Sequence, residues 1–366
     1  MKGRWTMDVY EKLREILDAS PTGAPKSKVF DEILRILYTP DEAALAVHMT
    51  LFPKPLQAIA SGAGKPEDEA GKMLEAMADN AVIFSREKDG KRLYGLLPTI
   101  PGLFEFPLMK GAVTPALESL GKLWDEYHRD ALGGTFSGNP TPLARVIPVE
   151  QSVEATTRIH PYEEVARMID AVDYIALGQC ACRVSINTCD KPREMCLIFD
   201  GPGRFLVQRK FAREISREEA HAVLARAEEA GLVHTSNNSA DKLSFICNCC
   251  KCCCTILTCR TQLGLPNAFA ASAFQAQISE GVCTGCGICA DERCPMGALS
   301  ISDDRAVLAP EKCIGCGLCV STCPVEAISL IRKIEPPEVL PTIRELGVRI
   351  LTEKGKLESY LNQMKL

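Results

Sequence analysis

Hydrophobic positions in the first quarter of the chain recur at helical spacing, and then the period changes. Residues 1–20 (MKGRWTMDVYEKLREILDAS) predict an amphipathic helix. SPTGAPKS, from Ser20 to Ser27, breaks the pattern with proline and glycine. KVFDEILRILYT then predicts a helix with Val29, Ile33, Leu34 and Leu37 on one face. Thr39 is placed to N-cap the next helix, with Pro40 at its first position and Glu42 three residues on. KPLQAIASGAG reads as a short helix and KPEDEAGKMLEAMADN as a longer one. In AVIFSREKDGKRLYGLL two strand-like runs flank Asp89-Gly90, a strong hairpin signal. TIPGLFEFPLMKG (99–111) is an apolar connector that needs a packing partner, since exposed it would be a sticky patch.

The pattern continues with a helix over about 114–131, a loop from Leu132 to Pro142, a strand in ARVIPVEQSV and a helix in YEEVARMIDAVD. YIALGQC is an apolar strand that delivers Cys180. ISREEAHAVLARAEEAGLVHTS predicts a helix N-capped by Ser216 and ending at Gly231, and KLSFICNC a strand. After EPP a linker leads to a C-terminal amphipathic helix, roughly 340–363, expected to pack on the body. The fold class expected is an α+β multidomain chain. Its parts are a winged-helix-like N-terminal domain (1–110), a Cys-rich α+β middle domain (111–270), a ferredoxin-like domain (271–331) and a C-terminal helical tail (332–366).

Composition narrows the function classes. The chain has 366 residues, 46% of them hydrophobic, enough to bury a real core. A net charge of −5 does not favour nucleic acid or a membrane surface as partner of the whole chain. The N-terminus lacks an apolar signal-peptide core, and no apolar run reaches the length of a bilayer span. A cytoplasmic location follows as the expectation, and there thiols stay reduced. The chain carries 19 cysteines, an odd count, and none precedes position 180. Cysteine arithmetic then favours metal or cluster ligation over disulfides.

Two copies of one pattern lie thirty positions apart: CTGCGICADERCP (Cys283–Pro295) and CIGCGLCVSTCP (Cys313–Pro324). Each reads C-x2-C-x2-C and then C-P, a loop that wraps three thiolates around one face of a [4Fe–4S] cube. Gly285, Gly287, Gly315 and Gly317 allow tight turns and close approach of backbone N–H groups to the sulfurs. After each proline, MGALSI and VEAISLI suggest a short helix. Paired zinc ribbons are the competing reading, but zinc sites space their C-x2-C pairs more widely.

On these motifs, residues 281–331 resemble a bacterial-type 2[4Fe–4S] (dicluster) ferredoxin, a β-α-β repeat. The resemblance implies that the fourth cysteine of each run serves the other cluster. One cube would take Cys283, Cys286, Cys289 and Cys323. The other would take Cys313, Cys316, Cys319 and Cys294. Four residues, Ala-Asp-Glu-Arg, separate Cys289 from Cys294, where the family pattern has three.

Eleven cysteines remain. Cys180, Cys182, Cys189 and Cys196 give C-x-C-x6-C-x6-C, a spacing that suits a cube or zinc on geometry. Arg183, Lys191 and Arg193 stand ready to offset thiolate charge. CNCCKCCC supplies Cys247, Cys249, Cys250, Cys252, Cys253 and Cys254, with Cys259 beyond. If the chain is helical after Asn248, Cys249, Cys252, Cys253 and Cys259 form one stripe and Cys250 and Cys254 an adjacent one. All eleven are candidate ligands of one or two further iron–sulfur centres. A soft-metal store would also use such C-x-C and C-C pairs.

Residues 28–98 resemble a winged helix-turn-helix in pattern only. The helix that would enter a DNA groove carries Glu67, Asp68, Glu69, Glu75 and Asp79 against Lys72, with Lys65 just before it. The wing is more basic, with Arg86, Lys88, Lys91 and Arg92. Docking of a protein, or a structural role, is expected ahead of DNA binding.

Three function classes follow. The first is a multi-cluster electron carrier of anaerobic metabolism, serving a partner oxidoreductase. No Gly-rich nucleotide fingerprint follows a strand here, which assigns flavin or NAD to the partner, a flavoprotein by expectation. The second is a reductase with a substrate-reducing centre at Cys247–Cys259. No acid–base constellation names its reaction, and His160, His221 and His234 read as surface or capping residues. The third is an iron–sulfur redox-sensing transcription regulator, resting on the winged-helix pattern.

Overall fold

The computed structural model describes residues 8–111, 114–149 and 164–365. His160, the end of the expected strand at 144–153 and the first residues of the helix at 162–173 lie outside them.

The N-terminal unit runs α1 (Val9–Asp18), α2 (Lys28–Leu37), α3 (Pro40–Ala46), β1 (Lys54–Pro55), α4 (Leu56–Ala63), α5 (Glu67–Asp79), β2 (Ile83–Lys88) and β3 (Lys91–Leu96). Thr39 closes a full capping box with Glu42 ahead of α3. β2 and β3 form the hairpin at Asp89-Gly90, and β1 pairs with β3 to give the order β1-β3-β2. The core takes Phe30, Ile33 and Leu34 of α2 in full, while Val29 and Leu37 pack at its edge. The apolar connector does find its partner: Leu103, Phe104 and Leu108 join the same core, beside Trp124 and Tyr127.

The middle unit contains α6 (Pro115–Tyr127), α7 (Gly133–Ser137), β4 (Ala144–Ile147), α8 (Val165–Asp170), β5 (Ile175–Gln179), α9 (Ala181–Ile186) and β6 (Glu194–Phe199). It continues through α10 (Asp200–Gln208), β7 (Ala212–Glu214), α11 (Arg217–Glu229), β8 (Val233–Asn237), β9 (Phe245–Cys249), α12 (Thr255–Thr261) and β10 (Phe269–Ala270). Its strands form one sheet, β10-β4-β8-β9-β6-β5-β7, antiparallel except for the β10–β4 pair. The expected loop from Leu132 to Pro142 contains α7, which continues the helical path of α6 through His128–Leu132.

The ferredoxin-like unit is two antiparallel pairs, β11 (Phe274–Ile278) with β14 (Ile328–Arg332), and β12 (Leu299–Ser302) with β13 (Arg305–Leu308). The short helices expected after Pro295 and Pro324 are turns, and each leads straight into a strand, β12 or β14. Leu299 and Ile328 explain the preference, since both bury their side chains against the thiol loops as strand residues.

The C-terminal helix is two helices, α13 (Ile343–Glu353) and α14 (Leu357–Lys365), divided at Gly355, whose φ of 66° ends the first helical run. Both return to the N-terminal unit. Lys356 pairs with Asp18 at 2.7 Å, and Gln363 bridges the carbonyl of Ile16 and the N–H of Leu51. Glu353 accepts from the N–H of Thr141 at 3.0 Å. Among the described residues, no helix is long and apolar enough to cross a membrane.

Candidate metal centres

Both ferredoxin loops depend on a glycine with no room for a side chain. At Gly285 (φ 65°) a Cβ would lie 2.4 Å from the Asp304 carbonyl oxygen; at Gly315 (φ 64°) it would lie 2.0 Å from that of Phe274. The loops therefore press against the strands, and their cysteines turn inward. One cavity is lined by Cys283, Cys286, Cys289 and Cys323. A second is lined by Cys294, Cys313, Cys316 and Cys319. In each, three cysteines come from one run and the fourth from the other.

The backbone prepares these sulfurs for negative charge. The N–H of Ala298 donates to the Cys294 Sγ and that of Ala327 to the Cys323 Sγ, both at 3.2 Å and both four residues on. The Ala306 N–H donates to the Cys283 Sγ at 3.4 Å and lowers that thiol's pKa. Burial works the other way on Cys316, pushed up to about 12, and on Cys319, also raised. A buried thiol of this kind gives up its proton only to a cation that replaces it. The donor set and the cavities thus fit a thiolate-ligated cluster.

The extra residue between Cys289 and Cys294 is absorbed by a π turn, Cys289–Arg293, closed by the Cys294 N–H on the Cys289 carbonyl at 3.0 Å. Cys294 still faces the second cavity. Arg293 reaches out of the loop to the carbonyls of Glu228 (2.7 Å) and Glu229 (3.0 Å), at the C-terminal end of α11. That end carries partial negative charge, so the guanidinium ties the ferredoxin loop to the middle unit.

The upstream cysteines fall into two sets. The chain is not helical after Asn248. β9 runs to Cys249, a turn follows, and α12 starts only at Thr255, so the predicted helical stripes do not form. The sheet hydrogen bonds of Asn248, which donates to the Met195 carbonyl and meets His234, favour the strand. The turn gathers Cys250, Cys252 and Cys253 around Cys189, all four sulfurs lying within 4.8 Å of one another. Individual separations are 3.6 Å (Cys189–Cys253), 3.8 Å (Cys252–Cys253) and 4.0 Å (Cys189–Cys250). Four thiolates about 2.3 Å from one tetrahedral ion stand about 3.8 Å apart by simple geometry. Among the described residues, no three sulfurs of either ferredoxin quartet come this close.

The second set is a row. Cys182 lies between Cys180 and Cys254, Cys249 between Cys254 and Cys247, and Cys247 against Cys196. The last contact follows from the β6–β9 register, which pairs Leu197 with Ile246 and so sets Cys196 beside Cys247. Hydrogen bonds from Cys247 and Cys254, with Thr235 in support, lower Cys249 to about 6. Cys259 joins neither set; it is buried against His128, its Sγ 3.3 Å from Nε2.

Arg183 is buried between the two sets. One nitrogen donates to the Asn248 carbonyl at 2.8 Å, while Nε and Nη2 find no oxygen or nitrogen partner. Cys250 lies within its reach, with Cys180 and Cys249 near. A buried guanidinium with idle donors calls for anionic sulfur around it. Lys191 and Arg193 do not share this role: they bond to the Ala230 carbonyl and the Asn187 side chain at the surface, because the loop carrying them turns outward. Of the histidines, His221 faces Asp170 at the surface, and His234 is buried on Asn248 and held neutral, its pKa lowered to about 4 by burial.

The row touches the ferredoxin unit. Cys249, Cys254 and Leu257 share one apolar core with Ile314, Cys316 and Leu318. The tether at Arg293 escapes sequence reading, because a four-residue spacer does not say where its arginine points.

The family model of the 4Fe-4S binding domain (Fer4) matches residues 306–329, the stretch that holds Cys313, Cys316, Cys319 and Cys323. No curated protein and no solved structure matches the chain significantly.

Proposed function

We propose that the chain is a multi-cluster iron–sulfur electron-transfer protein that exchanges single electrons with a partner oxidoreductase of anaerobic metabolism. The observation that carries this reading is the pair of cavities lined by crossed cysteine quartets, with three cysteines of one and the fourth of the other in the matched 4Fe-4S stretch. Cys283, Cys286, Cys289 and Cys323 would hold one [4Fe–4S] cluster, and Cys313, Cys316, Cys319 and Cys294 the other. Bound there, such clusters supply one-electron storage at potentials set by hydrogen bonds, burial and charge.

The chain's own residues give the centres an order. Cys286 is exposed, and Val282, Ile301 and Val307 expose apolar side chains in the same unit. That surface suits a transient partner, a flavoprotein by our reading, since the chain carries no nucleotide fingerprint. Cys316 lies at the opposite, buried side, against the core shared with Cys249 and Cys254. The Cys189, Cys250, Cys252, Cys253 quartet would hold a single tetrahedral ion, zinc or iron, neutralised in part by Arg183. The row from Cys180 to Cys196 offers ligands for one further centre.

A second reading, a reductase, is favoured by one observation: the row ends at Cys196 and Cys247 on the wall of a cavity. The regulator reading loses its footing at α5. Glu75 and Asp79 are held by Arg209 of the middle unit at 2.9 and 2.5 Å, so that face of the helix is occupied. We propose no DNA-binding role.

Iron and acid-labile sulfide per chain, measured on anaerobically purified protein with EPR of the reduced form, test the proposal. About eight irons with two interacting signals are expected from the ferredoxin quartets alone. A colourless preparation without sulfide would overturn it.

A further inference from the structure

A cavity of about 360 Å³ lies where the N-terminal unit, the connector and the middle sheet meet. Protein interiors pack without voids of this size, whereas small-molecule sites occupy about 300–1,000 Å³ and favour domain junctions. Its walls are apolar, drawn from residues such as Phe84, Leu97, Phe106, Ile198, Phe245 and Ile256. Three features interrupt the apolar surface, Ser244 being one. Cys196 and Cys247, the end of the thiol row, form part of one wall. Among the described residues, Glu105 is the single carboxylate on the lining, its Oε2 held by the Gly102 N–H at 2.7 Å.

Among the described residues Glu105 has a backbone partner but no cation to balance it, and burial pushes its pKa up to about 7. Below neutrality the protonated form predominates, and that proton can be donated to an acceptor in the cavity. An anionic ligand would meet a carboxyl that resists charge, and a cationic one would meet apolar walls. A neutral ligand with a hydrogen-bond acceptor meets neither penalty.

We propose that this cavity binds a small, uncharged, mainly apolar molecule with a carbonyl-type acceptor, which accepts a hydrogen bond from Glu105 beside the Cys196–Cys247 pair. The site deepens the reductase reading, because it places an organic ligand where the thiol row ends. Binding itself does not depend on any cluster, so its failure is separable from failure of the relay.

The test uses the full-length anaerobic protein and two isosteric probes, benzophenone and diphenylmethane, which differ by the carbonyl. Both compete for N-phenyl-1-naphthylamine, whose fluorescence reports occupancy. One saturable site per chain is expected, with benzophenone binding about tenfold more tightly than diphenylmethane. Glu105→Met should erase that difference. Ser244→Trp, which fills the cavity from its half-buried wall, should abolish saturable binding of both. Irradiating bound benzophenone in the unmodified protein gives a check that needs no variant: adducts should map to the lining, Phe106 and Ile256 among them. Absence of a saturable site, equal affinity for the two probes, or adducts only elsewhere would each overturn the proposal. Iron content and the EPR signals, read on the same samples, report on the relay alone.

Discussion

Val149 donates its backbone N–H to the carbonyl of Cys316 at 2.9 Å, so the segment after β4 of the middle sheet holds the ferredoxin loop at its most buried cysteine. Ser272 repeats the grip, its N–H on the Ile314 carbonyl at 2.9 Å and its hydroxyl on that of Gly315 at 2.7 Å. The two thiol-rich regions are therefore one packed body rather than two beads on a string.

From that grip follows a difference between the two ferredoxin quartets. Cys316→Ser removes a ligand inside the shared core, and Cys286→Ser removes one at the surface. Each is expected to lower iron by about four per chain or convert its own cluster to a three-iron form. The Cys316 change should in addition loosen the middle sheet. Hydrogen exchange at Val149 and Val233 would speed up in Cys316→Ser and stay unchanged in Cys286→Ser.

The tight quartet makes a separate prediction. Cys252→Ser should release one metal ion per chain with no loss of acid-labile sulfide. Arg183→Met should weaken that ion's retention against a chelator by about tenfold, since the buried positive charge disappears. Metal analysis paired with sulfide assay reads both; a parallel loss of sulfide would assign the quartet to a cluster instead.

At α5 the expected result is negative. In low salt the anaerobic protein should give no salt-sensitive shift of duplex DNA, because Arg209 holds Glu75 and Asp79 and donates to the Ser85 hydroxyl at 2.9 Å. Arg209→Met should destabilise the junction by roughly 1–3 kcal/mol, seen as a lower unfolding midpoint.

Stability should also record Glu105. Its folded pKa, about 7, stands above the unfolded carboxyl range near 4.3. A raised carboxyl favours folding fully below the unfolded value, and that contribution is lost as pH rises through the folded one. Set against the rise that His234 contributes over the same range, Glu105 should thus contribute a fall in stability between about pH 4 and pH 7 worth at most about 3 kcal/mol. Glu105→Gln should remove that fall, read from the unfolding midpoints of the two proteins across this range.

What the sequence made legible was local. The capping box at Thr39, the Asp89-Gly90 hairpin and the Ser216 cap each rest on a few neighbouring residues, and each is present. Cys294 and Cys323 each line the cavity of the other run, an arrangement that the family resemblance implied and that spacing alone does not give. Long-range partners were not legible. Period alone does not tell that Asn248 would be claimed by the sheet, turning a supposed helix at Cys249 into a strand end. Nor does composition tell that Cys189 closes on Cys250, Cys252 and Cys253 while Cys180 and Cys182 join the other set. That division depends on α9 lying between them, which orients Arg183 into the gap.

The clasp between the first and last helices sets an order of events during synthesis. Lys356 and Gln363 reach Asp18, Ile16 and Leu51 only after every cysteine has already been translated. Until those residues emerge, Asp18, Ile16 and Leu51 lack these partners, so the N-terminal unit, first to be made, completes its contacts after the thiol-rich segments have been translated.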